Sequence, residues 1–342
     1  MRRNIIFIVF IFFAFTTNLF GEDTAETLFR RANEARKAGR HQEAISLYKQ
    51  VIEKNPKIAE IHIDLGVAYV SLKEFSNAIE SFNRAIAINP NYPLAYYNLG
   101  AVYGKLGNFQ EEMKAYKKAV SIDPKYADAY YNLGLAYGKN EKFKEAVDAF
   151  KHAIQINPKN AVACVNLAIA YEGLGNYQEA IETYKQAIEI NPDYDKAYYN
   201  LGTAYRKMGN YQEEIQAYKK AITINPRHAG AWYALATGYL QHKSYQDAVD
   251  AYRKYIGINP DLPDVHVNLG SAYSKLGNYK EAAEAFKRAI KIKPDFAKAY
   301  YNLGFTYIAS GDKDAALEQY RKLEKIDRGL AQKLLEKISQ YK

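Results

Sequence analysis

Along most of this chain, apolar residues recur at helical spacing, and the helical runs come in pairs. Between Asp195 and His228, Tyr198, Leu201, Gly202 and Tyr205 return at three- and four-residue intervals, which puts them on one stripe of a 3.6-residue helix. Gly209-Asn210 then closes that helix. Glycine tolerates the left-handed turn conformation, and the Asn210 side chain is expected to accept hydrogen bonds from the free amides that open the next helix. The following run carries Tyr211, Ile215, Tyr218 and Ile222 on its inner stripe, turns Glu213, Lys219 and Lys220 outward, and stops ahead of Pro226.

Two helices from 34 residues have only each other to cover their apolar stripes, so such a unit needs neighbours of the same shape. The sequence supplies them. Pro56, Pro90, Pro124, Pro158, Pro192, Pro226, Pro260 and Pro294 follow one another at a constant interval of 34, the mark of a stacked-repeat architecture. The two remaining prolines, Pro93 and Pro263, fall at the start of a first helix, where a missing amide costs nothing. The expectation is an all-α solenoid, and its uniform period reads as one elongated domain.

The beginning of the chain breaks this pattern. Arg2 and Arg3 precede eleven uninterrupted apolar residues, Ile5 to Phe15, then a short polar exit to Gly21 and the acidic Glu22-Asp23. A charged start, an apolar core and a polar exit are the parts of a secretory signal peptide, here residues 1–21. A membrane-spanning helix wants roughly 20 apolar residues, and this run is shorter. Retained as an N-terminal anchor, the segment would still send the repeats across the membrane. The expected location is therefore exported: periplasm, cell envelope or secreted, with no transmembrane span in the mature chain.

Composition then limits the chemistry. With 48% hydrophobic and 25% charged residues the chain is a well-packed helical protein. Without Arg2 and Arg3 it holds 45 basic against 38 acidic residues, a mild +7. One cysteine allows no internal disulfide, and Cys164 takes the inner-stripe place of Tyr130 and Tyr198, so it reads as a buried, inert thiol.

The pattern Tyr198, Leu201, Gly202, Tyr205, Tyr218, Ala221, Pro226, repeated every 34 residues, resembles the tetratricopeptide repeat (TPR). The resemblance covers nine units: 25–58, 59–92, 93–126, 127–160, 161–194, 195–228, 229–262, 263–296 and 297–330. It implies a right-handed α-solenoid superhelix whose first helices line a concave groove that binds peptides or proteins. The first unit diverges, with Arg31, Ala32 and Ala35 where later units place Leu, Gly and Tyr; the ninth has Arg328 in place of proline. Residues 331–342 read as a C-terminal capping helix, with Leu330, Leu334, Ile338 and Tyr341 on one stripe.

Small residues mark where helices approach. Ala78, Ala146, Ala180, Ala248, Ala282 and Ala316 recur in the second helices, and Ala85, Ala119, Ala153, Ala187, Ala221 and Ala289 recur seven residues on. Glu112 and Glu214 interrupt the first series, and their carboxylates are expected to snorkel out to solvent, because burying one unpaired costs several kcal/mol.

Function is left to the face opposite the packing stripe. On the sixth unit this face carries Lys196, Tyr199, Asn200, Thr203 and Lys207. The same places elsewhere hold Tyr97, Tyr131, Tyr233 and Tyr301; Asn98, Asn132, Asn166, Asn268 and Asn302; and Lys105, Lys139 and Lys275. An Asn amide both donates and accepts, so it can pair with the backbone of an extended peptide of any sequence. Units stacked about 8 to 10 Å apart would meet roughly every third residue of a strand that rises about 3.3 Å per residue. This is similar to the asparagine ladder in the TPR region of O-linked N-acetylglucosamine transferase. Asp64 and Ala234 break the ladder. The clamp by which chaperone-adaptor TPRs hold a C-terminal carboxylate is incomplete, since Tyr97, Tyr131, Val165, Tyr199 and Val267 stand where it needs a basic residue.

A basic row runs down the second helices: Lys49, Lys117, Lys151, Lys185, Lys219, Arg253, Lys287 and Arg321. It reads as structural, its cations favoured by the helix C-terminal dipole, and with no nucleic-acid-binding motif present no nucleic acid is expected. The six histidines show no metal-ligand spacing, and nucleophile-elbow and phosphate-loop motifs are absent. The sequence thus points to a non-enzymatic interaction scaffold without cofactor or metal, whose partner is an extended protein or peptide segment. The alternative is a self-assembling homo-oligomer that organises a membrane or envelope surface.

Overall fold

The computed structural model describes residues 24–340, so the leader expected over residues 1–21 and Tyr341 of the cap stripe lie outside the described residues. Among these residues the chain is helical, without a strand. Nine antiparallel pairs follow in order: α1 (Ala25–Lys37) and α2 (His41–Lys54); α3 (Ala59–Ser71) and α4 (Phe75–Ile88); α5 (Pro93–Lys105) and α6 (Phe109–Ile122); α7 (Ala127–Lys139) and α8 (Phe143–Ile156); α9 (Ala161–Gly173) and α10 (Tyr177–Ile190); α11 (Asp195–Met208) and α12 (Tyr211–Ile224); α13 (Ala229–Gln241) and α14 (Tyr245–Ile258); α15 (Pro263–Lys275) and α16 (Tyr279–Ile292); α17 (Ala297–Ala309) and α18 (Lys313–Glu324). A last helix, α19 (Arg328–Gln340), closes the chain. Its first turn is capped by Asp327, whose carboxylate accepts from the Leu330 amide at 2.9 Å.

The helices fall into two compact units, the chain passing from one to the other within α7, between Ala129 and Tyr130. In the first unit each helix from α1 to α6 packs on the next in sequence, as does each from α8 to α19 in the second, where the Phe150 ring of α8 also meets Tyr131 and Gly134 of α7. A further set of contacts joins first helices of successive pairs: α3 to α5 in the first unit, α11 to α13 and α15 to α17 in the second. First helices therefore lie on the more closely spaced side of each stack.

The alanine series sits where helices approach: Ala78, Ala85, Ala146, Ala180, Ala187, Ala221, Ala248, Ala282, Ala289 and Ala316 have no exposed surface. Glycine does the same for the first helices. A Cβ on Gly66, Gly100, Gly134, Gly202 or Gly270 would come within 3 Å of the ring of Phe82, Tyr116, Phe150, Tyr218 or Phe286 on the partner helix. In the last pair Gly304 meets Leu334 of α19 instead, so the final helix supplies the apolar cover. The residue three places into the first helix ties successive pairs together. His62 and His266 donate from Nε2 to the carbonyls of Pro56 and Pro260 (3.2 and 2.7 Å), Trp232 from Nε1 to Pro226 (2.9 Å) and the Tyr300 hydroxyl to Pro294 (3.2 Å).

Three local expectations change. Gly209 is left-handed, at φ 78°, but Asn210 makes no side-chain cap, and neither do Asn108, Asn176 or Asn278. The turn is closed by backbone bonds instead, Asn210 N to Tyr205 O at 3.0 Å among them. Three turns place Lys73, Glu141 and Lys243 at φ 57–63° where the others use glycine, a conformation that costs L-residues about 1 kcal/mol.

Glu112 and Glu214 do not snorkel out: they are 5% and 2% exposed. Each is accommodated by a missing side chain, since a Cβ on Gly104 would lie 2.5 Å from Glu112 Oε1 and one on Gly238 would lie 3.0 Å from Glu214 Oε1. Burial pushes the Glu214 carboxyl up, and the nearby Arg206 guanidinium opposes this.

The basic row, too, has a different cause. Lys49, Lys151, Lys185 and Lys219 lie over the rings of Tyr69, Tyr171, Tyr205 and Tyr239 of the following pair, 5.5 to 5.8 Å from the centroids. These are cation–π links between pairs, each worth about 0.5 to 1 kcal/mol when exposed. Hydrogen bonding to Tyr171 and Tyr239 pushes the Lys151 and Lys219 ammonium groups up.

Candidate functional site

The site is built outward from a buried tyrosine on each second helix. Tyr48, Tyr184, Tyr218 and Tyr252 are fully enclosed, yet each hydroxyl finds a partner on the first helix of its own pair. Tyr48 donates to Asn33 Oδ1 at 2.7 Å and accepts from Arg36 Nε at 3.1 Å. Tyr184 donates to Glu172 Oε1 at 2.9 Å. Thr203 and Thr237 donate to backbone carbonyls one turn back, so their oxygens accept the Tyr218 and Tyr252 hydroxyls at 3.3 Å. Burial pushes Tyr218 and Tyr252 up to about 12, so both remain neutral donors. Buried hydroxyls need such partners, and meeting them fixes the floor of the first-helix face.

On this floor rest the aromatics singled out in the sequence. Tyr199 packs on Tyr218 with centroids 5.9 Å apart and on His228 at 4.9 Å. Tyr131 packs on Phe150 at 5.8 Å, and Tyr97 on Tyr116 at 5.8 Å and Tyr126 at 5.1 Å. They are half-buried, as is Tyr301. Each ring is thus part packing element and part exposed surface, which the strict division into inner and outer stripes missed.

The neighbouring amides Asn98, Asn132, Asn166, Asn200, Asn268 and Asn302 are also half-buried, and the lysines one turn on, Lys105, Lys139, Lys207 and Lys275, are exposed. Asn166 corrects the idea of an amide that pairs freely with a peptide. Its Nδ2 donates to Tyr131 Oη at 3.1 Å and to the Val162 carbonyl at 2.9 Å, so both hydrogens are engaged and the oxygen is what it can offer. At the first break in the ladder, Asp64 lies 3.5 Å from Arg36. Burial raises the Asp64 carboxyl against the pull of that guanidinium. At the second break, Ala234 is buried.

Some side chains on this face escaped the sequence reading. Val162 and Ile169 on α9 are 45% and 44% exposed, and they stand on the same face as Asn166. The signal was present: Ala-Val-Ala-Cys-Val-Asn-Leu-Ala-Ile-Ala-Tyr is apolar all round instead of on one stripe. Cys164 is buried on the other side of α9, where burial pushes its thiol up. Among the described residues no cluster of His, Cys, Asp or Glu is placed to hold a metal, and no helix is long and apolar enough to cross a membrane.

Stacked helix pairs with a repeating aromatic and amide face define a helical-repeat scaffold of the solenoid class. The chain belongs to the tetratricopeptide repeat family. It matches the profile described as the C-terminal domain of cilia and flagella-associated protein 70 over residues 16–222, the TPR repeat profile over residues 202–243, 238–277 and 272–311, and a further tetratricopeptide repeat profile over residues 297–329. A comparison with curated proteins finds no match. Among solved structures, the chain is similar to YrrB, a TPR protein described as having an unusual peptide-binding site, at 26% identity and TM-score 0.50, over 55% of this chain and 96% of that one. The C-terminal part of a TPR repeat-containing protein from Cytophaga hutchinsonii is 18% identical with TM-score 0.62, over 70% and 99% of the two chains, a likeness of fold. MamA is 30% identical with TM-score 0.47, over 51% and 95%.

Proposed function

We propose that this protein is an exported scaffold that holds an extended segment of another protein along its first-helix face. The observation that carries the reading is the repeated pairing of a half-exposed tyrosine, braced from below, with an adjacent amide. Tyr131 with Asn132 on α7 and Tyr199 with Asn200 on α11 each offer a ring edge and polar atoms at the same level of first helices separated by one pair, with Asn166 of α9 between them. Ring faces take side chains, amides take backbone, and both stand on the side where first helices crowd together. The peptide-binding site described for YrrB agrees with this use of the fold. Export rests on Arg2, Arg3 and the apolar run from Ile5 to Phe15.

Each hydrogen bond to a bound backbone contributes about 0.5 to 1.5 kcal/mol net, and ordering the segment offsets part of it, so capture is of weak to moderate affinity. A photo-crosslinking residue at Lys196, exposed on the first-helix side, is compared in cells with one at Lys220, exposed on α12. Adducts at 196 that fall when Asn132 and Asn200 are both changed to Ala are expected. Adducts confined to 220, or indifferent to the double change, would remove the binding role. N-terminal sequencing of fractionated protein tests export: the expected chain begins near residue 22 outside the cytoplasm, and a cytoplasmic chain starting at Met1 would refute it.

A further inference from the structure

Building on this groove reading, we infer that the segment held near α9 carries one apolar side chain flanked on both sides, about three residues away, by acidic residues. Along the first helices, the place of Val162 is charged in six of the eight other pairs: Glu26, Glu60, Asp128, Lys196, Asp264 and Lys298. The place of Ile169 is Thr203, Thr237 and Ser271 in the three pairs that follow. Only in α9 are both places taken by large aliphatic residues, and both are nearly half exposed.

Val162, Asn166 and Ile169 lie at i, i+4 and i+7, hence in one line down the exposed face of α9. The Asn166 amide, held by Tyr131 Oη and the Val162 carbonyl, is fixed between the two aliphatic side chains with its oxygen available. The result is an apolar seat with one acceptor at its centre, suited to a Leu, Ile or Phe side chain whose own backbone amide donates to Asn166.

Charge selects what surrounds that side chain. One pair to either side of α9, level with Gly173 and one turn beyond Ile169, stand the exposed Lys139 on α7 and Lys207 on α11. Gly173 itself adds no side chain, and the Phe143 ring packs against it. Glu172, the acidic residue next to Gly173, is already engaged: it accepts from Tyr184, burial raises its carboxyl, and Lys207 lies near enough to oppose that rise. First helices about 8 to 10 Å apart and a strand rise of about 3.3 Å put the two flanking helices roughly three residues of a bound strand from the apolar anchor, and the long lysine side chains span the one turn (about 5.4 Å) that separates their level from Ile169. The pattern is symmetric, so it holds for either direction of the bound chain.

The test is a selection of phage-displayed random twelve-residue peptides on the whole chain at low salt, followed by anisotropy titration of the labelled winners. Peptides with an aliphatic or aromatic residue and acidic residues about three places to either side are expected. Their affinity should drop at least tenfold in the double variant Val162→Lys with Ile169→Thr. Those are residues that sibling helices carry at the same places, so the fold is kept, and circular dichroism verifies it. Lys139→Glu and Lys207→Glu should each weaken binding and reduce its salt dependence.

Winners without that pattern, or winners that bind the α9 variant within twofold of the parent, would overturn the inference. If such winners still lose affinity in Asn132→Ala with Asn200→Ala, the groove reading stands and only the anchor falls. A selection that enriches nothing, or winners indifferent to every first-helix change, would overturn both.

Discussion

Replacing Gly202 by alanine puts two opposing effects on one atom. Alanine is favoured over glycine in a helix by about 1 kcal/mol. Yet the new Cβ would lie 2.7 Å from both Cδ1 and Cε1 of Tyr218, roughly 0.8 Å short of ordinary carbon contact. The ring cannot easily retreat. It is fully buried and its hydroxyl is held by Thr203. Overpacking of this kind costs about 1 to 3 kcal/mol, so the net effect is a loss of about 1 kcal/mol where propensity alone would give a gain. Gly138 and Gly257 provide the controls: both are helical, and a Cβ at either meets nothing within 4 Å. Near helix ends the propensity gain is smaller, so Gly138→Ala and Gly257→Ala should stabilise by a few tenths to about 1 kcal/mol. Urea unfolding followed by circular dichroism ranks the variants by midpoint at constant slope. If Gly202→Ala raises the midpoint as much as Gly138→Ala does, Tyr218 is not pressed on that glycine, and the packing argument for the repeated glycines fails.

Two further outcomes follow from buried charge and from the links between pairs. The Glu214 carboxyl is raised by burial, so the folded state favours its protonated form, and this group's contribution is fully present below its unfolded value and lost as pH rises through the folded one. Glu214→Gln should therefore stabilise the protein at pH 7.5, with the advantage shrinking as unfolding is measured down to pH 4; an advantage that stays constant with pH would refute this. Lys219→Met keeps most of the stem but removes the cation over Tyr239, and a double-mutant cycle with Tyr239→Leu should return a coupling of about 0.5 to 1 kcal/mol. Because the Lys219 ammonium is raised, that coupling is present at pH 8 and is lost as pH climbs past its folded value; a cycle that closes to zero at pH 8 would dismiss the link.

Helix boundaries and the packing stripe were legible because they depend on neighbours three or four residues away. Tyr198 to Tyr205 and the prolines at 34-residue spacing are local marks of that kind. The Asn210 cap was misjudged, since the turn satisfied its amides through the backbone. What distance along the chain conceals is contact between pairs: nothing in the sequence around Lys219 announces the ring of Tyr239, and nothing around Asn166 announces the hydroxyl of Tyr131, 35 residues earlier. On the candidate face, the Tyr and Asn positions were readable as a row. Their half-buried state was not, because it depends on which second-helix ring lies beneath each one. The apolar exposure of Val162 and Ile169 went unread because a reading by inner and outer stripes assigns every large aliphatic residue to the core.

The notch at Gly238 has a bearing on how this chain can be cut and rejoined. The other first helices carry a side chain at that level, and a Cβ at Gly238 would lie 3.0 Å from Glu214 Oε1. Modules 195–228 and 229–262 are therefore matched like a key and its ward. Other joints have their own links, such as Asn166 to Tyr131 and Arg36 to Asp64, but separating these two modules would press a side chain on the Glu214 carboxylate, which would have to shift to admit it.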